Sequence, residues 1–160
     1  MGATLTMGHQ INGLLATKEH LDRLAEQLGL SQSKRLRQDF GFLPLDDEDL
    51  DRIFVQPGSY HSEFIYLSAA LVSLLLEHST GKAIAYIETD YFGGMGDQSA
   101  VLARSGKLVF GPTRGPGSIN RVLQIMGVAK FDPDLDEFDT IGLDQIRSND
   151  AMDLPLSDRL

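Results

Sequence analysis

Two carboxylates in one predicted strand are the residues of this chain best placed to do chemistry. Tyr86, Glu88 and Asp90 share one face of the strand, because side chains along a strand alternate with period two. Carboxylates at positions i and i+2 lie roughly 6.5 to 7 Å apart, which could suit the paired acids of a glycoside hydrolase or a divalent-ion site. The simpler interpretation is that this is the solvated face of a sheet, since the sequence supplies no matching acid, base or sugar platform.

The glycine-rich segment GGMGDQ at 93–98 follows this strand. Its Gly94-Met95-Gly96 resembles part of a dinucleotide-binding fingerprint, but Ser99 stands where a third glycine is needed and the next element is a strand. We interpret the segment as a turn whose glycines permit close approach of another backbone, or as a contact surface for a partner. The residues predicted to bind a partner are Tyr86, Glu88, Asp90, Tyr91, Phe92, Gly94, Asp97 and Gln98.

A second glycine-rich segment, GPTRGPGS at 111–118, precedes a predicted helix and contains Arg114. Backbone amides at a helix N-terminus bind anions, so a phosphate could rest there. Two prolines remove donors that such a cradle needs, and the G-x4-G-K-[ST] spacing is absent. The sequence therefore favours a plain loop over a phosphate site.

Other catalytic and metal-binding patterns are incomplete. The four histidines form no H-E-x-x-H motif or close pair. Asp132-x-Asp134-x-Asp136 imitates the start of a calcium loop, but Glu137 and Leu143 stand where Gly and Glu are required. No G-x-S-x-G is present. We therefore expect no catalytic residues, no metal and no cofactor.

The hydrophobic pattern predicts an α+β fold with a largely antiparallel sheet, in the order β-α-β-α-α-β-β-β-α. The three consecutive strands form a meander joined by turns containing glycine, packed against about four helices. The predicted elements are a strand at 5–16, a helix at 18–28 between Thr17 and Gly29, an extended segment at 40–45, a short helix from Asp46 or Asp47 through Phe54, an apolar helix at 59–78, strands at 82–92, 99–104 and 107–110, and a helix capped by Ser118 and ended by Gly127. Residues 31–38 read as a loop or helical turn, and 111–117 as a loop.

Length and charge limit the class of protein. A chain of 160 residues suits one domain, which we place at 1–147, followed by a loosely ordered acidic tail at 148–160. In 131–147 the apolar side chains Phe138, Ile141, Leu143 and Ile146 are expected to dock on the body. The chain has no cysteine, which fits a reducing compartment, and we expect it to be cytoplasmic, without a signal peptide or membrane span.

The net charge of −9 is concentrated near the C-terminus, because residues 131–160 hold nine acids against two arginines. Such a surface repels nucleic-acid phosphates and would steer a basic protein partner toward it. Solubility alone is the simpler explanation of this charge. The oligomeric state does not follow from the sequence.

Several segments resemble a family of small uncharacterised bacterial cytoplasmic proteins that are similar to the immunity proteins of polymorphic toxin systems. They are INGLLAT at 11–17, FGFLPLDDEDLD at 40–51, AYIETDYFGGMGDQSAV at 85–101, SINRVLQIMGV at 118–128 and DEFDTIGLDQIR at 136–147. The resemblance implies a non-enzymatic protein that binds and neutralises a cognate toxin, and it carries over no catalytic residue.

Two hypotheses remain. In the first, an immunity-type protein presents the region 88–98 and its acidic C-terminal residues to a basic toxin domain. In the second, a small enzyme or ligand-binding protein uses Glu88 and Asp90 with a divalent ion or a sugar.

Overall fold

A computed structural model of the chain describes residues 8–53, 64, 66–92 and 95–150. The elements of this part are β1 (His9–Thr17), α1 (Lys18–Leu28), β2 (Lys34–Arg35), β3 (Phe40–Pro44), α2 (Asp47–Ile53), α3 (Ala69–Glu77), β4 (Ala83–Phe92), β5 (Met95–Arg104), β6 (Lys107–Arg114), α4 (Ser118–Met126), α5 (Glu137–Ile141) and a 3-10 turn (Leu143–Gln145). The strands form one six-stranded antiparallel sheet in the order β2-β3-β1-β4-β5-β6. The predicted α+β fold is confirmed.

Both faces of the sheet are covered, because alternate side chains of β4 enter two separate apolar clusters. Ala85 and Ile87 pack in the first cluster, with residues of α4 and α5. Ile84 and Tyr86 pack in the second, with residues of α1 and α3. The expectation that Tyr86 lies on a solvated face of the sheet is therefore wrong, because helices cover that side as well.

The helix α1 forms where the sequence predicts it. Thr17 caps its N-terminus by accepting a hydrogen bond from the backbone N–H of His20 at 3.3 Å. Gly29 ends it in the left-handed conformation, with φ 69°, which costs glycine little. Leu21 and Leu24 are buried against the sheet, and each contributes roughly 1.5 to 3 kcal/mol by leaving water.

The segment 31–38, expected to be a loop or helical turn, contains the short strand β2. Lys34 pairs with Phe42 and Arg35 with Gly41, so β2 and β3 form a hairpin. The chain reverses through Gln38 and Asp39, whose φ values of 58° and 63° lie in the left-handed region. Because neither residue is glycine, the glycine pattern that marks hairpin turns does not predict this one.

The meander is longer than predicted at two of its strands. The strand β5 begins at Met95 and β6 continues to Arg114, so most of the expected loop at 111–117 lies in the sheet. Gly111 lets β6 continue beside β5 because it has no side chain: a Cβ at this position would lie 2.4 Å from the carbonyl oxygen of Ala100. Pro112 is tolerated because β6 is an edge strand.

Two helices begin at residues other than those expected. The apolar helix α3 begins at Ala69, where Ser68 caps it by accepting from the N–H of Leu71 at 3.2 Å. Its predicted beginning at 59–63 lies outside the described residues, as does Phe54, the expected end of α2. Gly117 is the N-cap of α4 in place of Ser118, and Gly127 ends that helix as predicted.

The acidic segment after α4 folds onto the body and adds the helix α5. Its four apolar side chains, Phe138, Ile141, Leu143 and Ile146, are all buried in the first cluster. Residues 148 and 149 remain in contact with the body: Ser148 bridges to Gln10 of β1, and the Asn149 side chain donates to Asn12. The rest of the predicted loose tail, 151–160, lies outside the described residues.

Across the described ranges, no helix combines the length and the apolar character that crossing a bilayer requires.

Candidate functional site

The candidate site is the end of the β4–β5 hairpin. Asp90 lies opposite Asp97, Tyr91 opposite Gly96, and Phe92 opposite Met95. Only residues 93 and 94 separate the two strands, so Gly94, one of the predicted site residues, lies outside the described part of the chain.

Gly96 fixes the path of β5 against β4 at this end. Its φ is 151°, and a Cβ at this position would lie 1.9 Å from the carbonyl oxygen of Asp90. No side chain fits at that distance, so only glycine lets the two backbones meet here. The predicted role of a glycine in close backbone approach is confirmed, and the backbone it meets belongs to the same chain.

The outward side chains of this end form a surface that we call the hairpin tip: Asp90, Phe92, Met95 and Asp97. They share one face, because cross-strand partners and residues two apart project to the same side of a sheet. Phe92 is 85% exposed and Met95 is 80% exposed. Two large apolar side chains that face each other in water form a patch suited to contact with another protein.

The acids of the hairpin tip lie directly opposite each other, an arrangement that is unfavourable for like charges. The Nε of Arg114, on β6, binds Oδ2 of Asp97 at 2.9 Å and partly neutralises it. Asp90 is exposed. A cleft of about 290 Å³ adjoins the acids, and its lining includes Glu88, Asp90, Asp97 and Arg114.

Glu88 and Tyr86, which lie on the same face, are inside the fold. Tyr86 is fully buried, and Glu88 is 5% exposed. The Tyr86 hydroxyl and the backbone N–H of Tyr66 both donate to Oε2 of Glu88, each at 2.8 Å. Burial, followed by the nearby Glu88 carboxylate, raises the pKa of Tyr86 well above its ordinary value. Glu88 therefore ties the segment before α3 to the sheet.

Tyr91 and Gln98 are buried on the opposite face. Gln98 donates from Nε2 to the Tyr91 hydroxyl at 3.0 Å and accepts at Oε1 from the N–H of Ile119 at 2.8 Å. Gln98 thus accepts from a backbone N–H in the first turn of α4. The N-cap residue of this helix, Gly117, has no side chain that could do so. Burial raises the pKa of Tyr91.

The seven predicted partner-binding residues that the structure describes therefore separate into two groups. Asp90, Phe92 and Asp97 reach the surface, whereas the four buried side chains hold the hairpin in place: Tyr86, Glu88, Tyr91 and Gln98. The expectation that Tyr86 and Tyr91 contact a partner directly is wrong, because strand pairing and the covering helices enclose them. Met95 was missed, although its place beside the turn glycines was a usable signal.

Two further clefts were not found from the sequence. One of about 380 Å³ lies between β1 and α2, and its lining includes Asn12, Asp46, Glu48, Glu88 and Asn149. Another of about 940 Å³ lies at the opposite end of the sheet, and its lining includes Lys18, Arg35, Phe40, Lys82, Arg104 and Met126. Each is assembled from several separate segments, so no local pattern marks it.

In the part of the chain that the structure describes, no three His, Cys, Asp or Glu side chains are grouped so that they could hold a metal ion. His9 is buried and serves the fold: its Nε2 donates to the carbonyl oxygen of Leu143 at 2.9 Å, and its Nδ1 lies 2.7 Å from the Thr89 hydroxyl. Burial lowers the pKa of His9, which favours the neutral ring.

No protein-family model, curated protein or solved structure matches this chain.

Proposed function

We propose that this protein is a non-enzymatic binding module of the immunity type, which binds and neutralises a basic toxin domain through the hairpin tip. The observation that carries the proposal is the exposure of Phe92 and Met95, at 85% and 80%, as direct neighbours on a hairpin held from both faces. Strands that are positioned by buried hydrogen bonds lose less conformational entropy on binding than a free loop does.

Charge supports a basic partner. Asp90 and Asp97 flank the apolar pair, and the whole chain carries a net charge of −9. Fields of this sign accelerate encounter with cationic proteins and slow the approach of anionic ones. The cleft beside the acids has room for the end of a lysine or arginine side chain from the partner.

The buried residues support the same role. Glu88 is engaged by the Tyr86 hydroxyl and the Tyr66 N–H, and Gln98 by Tyr91 and Ile119. These bonds position the hairpin, as a binding scaffold requires. The resemblance to immunity proteins found in the sequence is in keeping with this reading.

The experiment is affinity capture from the native bacterium with wild-type protein and two variants as bait, followed by co-expression of the captured protein with each bait. Phe92→Ala removes the aromatic side chain of the hairpin tip. Phe131→Ala is its matched control, because Phe131 is also 85% exposed but lies between α4 and α5. We expect wild type and Phe131→Ala to capture a basic protein and to relieve its toxicity, and Phe92→Ala to do neither.

The proposal fails if the captured protein is not basic, if its expression harms no cell, or if Phe92→Ala protects as well as Phe131→Ala does.

A further inference from the structure

The segment 136–149, which we call the C-terminal strap, covers the first apolar cluster with four buried apolar side chains and is also held by hydrogen bonds to other parts of the chain. The N–H of Gln10 donates to the carbonyl oxygen of Arg147 at 2.8 Å. His9 donates to Leu143, and Arg37 donates from its guanidinium to the carbonyl oxygens of Asp139 and Thr140. Opening of the strap therefore has to break these bonds and to expose the four apolar side chains that it buries.

Inside the strap, two carboxylates, those of Asp139 and Asp144, are placed where charge is costly. Asp139 is only 6% exposed. One side-chain oxygen of Asp139 and one of Asp144 are buried and have no hydrogen-bond partner. Asp136 is the N-cap of α5 and accepts from the backbone N–H of Asp139 at 2.8 Å. Buried carboxylate oxygens without donors are unfavourable when ionised, and like charges nearby add to the cost.

A proton on Asp139 would relieve this arrangement. The protonated carboxyl can donate to the neighbouring carboxylate of Asp136, a bond that two ionised groups cannot form.

We propose that the C-terminal strap is a proton-regulated clasp, in which protonation of Asp139 tightens the strap on the first apolar cluster and ionisation loosens it. The charged groups that face Asp139 are Asp136 and Asp144, within the strap, and Arg37, which reaches it from the end of β2. This inference concerns the C-terminal strap and does not depend on the proposed role of the hairpin tip.

The expected pH range follows from the direction of the effect. Burial, then Asp136 and Asp144, raise the pKa of Asp139 from 3.8 to about 6. A carboxyl with a raised pKa in the closed state binds its proton more tightly when closed, so closure weakens as pH rises through about 6. His9 acts in the opposite direction, because burial lowers its pKa, so protonation of the buried ring in acid disfavours the closed structure. A comparison between wild type and an Asp139 variant cancels the His9 contribution.

The test is amide hydrogen exchange of the strap in the full chain at pH 5.5 and 7.5, for wild type, Asp139→Asn and Asp134→Asn. Gln10 and Arg37 report on closure of the strap, since their N–H groups donate to the carbonyl oxygens of Arg147 and Ile141 within it. The amides of β4 and β5 serve as the reference for global unfolding. Asp134 is exposed, so Asp134→Asn removes the same charge without touching the cluster.

After correction for the intrinsic exchange rate, we expect the ratio of the wild-type to the Asp139→Asn opening constant to rise about fourfold from pH 5.5 to 7.5. The ratio of wild type to Asp134→Asn should stay constant. A constant ratio for Asp139→Asn, or the same change for Asp134→Asn, would overturn the inference. If Asp139→Asn does not fold, the carboxyl 13C shift of Asp139 in the wild type decides: a midpoint of about 6 supports the clasp and one at 3.8 refutes it.

Discussion

Replacing Glu88 by alanine should destabilise the fold far more than replacing its neighbour Asp90. Glu88 accepts hydrogen bonds from the Tyr86 hydroxyl and the Tyr66 N–H, both at 2.8 Å. Glu88→Ala leaves these donors without the carboxylate, and each buried donor that loses its partner costs about 1 to 3 kcal/mol. We therefore expect Glu88→Ala to lower the free energy of unfolding by roughly 2 to 6 kcal/mol.

Asp90 provides the matched control. It lies two residues further along the same face of β4 and is exposed, so Asp90→Ala should change the free energy of unfolding by less than about 0.5 kcal/mol. Both variants are compared with wild type by urea unfolding, followed by circular dichroism and by tyrosine fluorescence.

A double-mutant cycle isolates one of the two bonds. Tyr86→Phe removes the hydroxyl while keeping the ring, and Glu88→Gln keeps the shape while removing the charge. Because a hydrogen bond to a charged acceptor contributes about 1.5 to 3 kcal/mol, the coupling energy between these two changes should be at least about 1 kcal/mol. Equal stability of Glu88→Ala and Asp90→Ala, or a coupling energy near zero, would refute the structural role of Glu88.

Three further predictions concern the same framework. Gly96→Ala should lower the free energy of unfolding by about 2 to 4 kcal/mol, because its Cβ meets the backbone of β4; denaturant unfolding measures this, and a loss under about 0.5 kcal/mol would contradict it. Gln98→Leu should lower the free energy of unfolding by about 1 to 3 kcal/mol, because the Ile119 N–H loses its acceptor. It should also speed amide exchange in the first turn of α4, and unchanged exchange there would exclude the capping role of Gln98. Burial raises the pKa of Tyr86, so the folded state keeps the phenol proton, and the free energy of unfolding should fall as pH rises above 10. The fall should be less steep in Tyr86→Phe, and thermal unfolding as a function of pH measures it. Identical alkaline profiles for the two proteins would count against the last prediction.

The parts of the fold that the sequence predicts well are those specified by local chemistry. The helix α1 has an amphipathic stripe, a threonine cap and a glycine stop, and all three act as expected. The meander was found because β4, β5 and β6 are joined by short turns rich in glycine. Such signals are contained within a few residues, so a single sequence is enough to find them.

The parts that were missed depend on contacts between distant segments. The strand β2 exists because β3 offers it a partner through a turn at Gln38 and Asp39, two residues that are poor signals for a left-handed turn. The extension of β6 through Gly111 depends on the approach of that residue to Ala100 in β5. Tertiary pairing decided the structure in both places.

The candidate site shows the same division. Period-two alternation placed Tyr86, Glu88 and Asp90 on one face correctly, but it could not tell that helices cover the inner part of that face and leave the outer part free. Burial of Glu88 depends on the segment before α3, whose Tyr66 N–H donates to it, and a strand pattern does not encode that contact.

The measurement that tests the central claim most directly is the dissociation constant of the captured basic partner for three forms of the protein, determined by calorimetry at one fixed ionic strength. Loss of a buried aromatic anchor costs about 2 kcal/mol or more, so Phe92→Ala should raise the dissociation constant by roughly 30-fold, while Phe131→Ala stays within about threefold of wild type. Equal affinity of Phe92→Ala and wild type, or a larger loss in Phe131→Ala, would show that the partner binds elsewhere than at the hairpin tip.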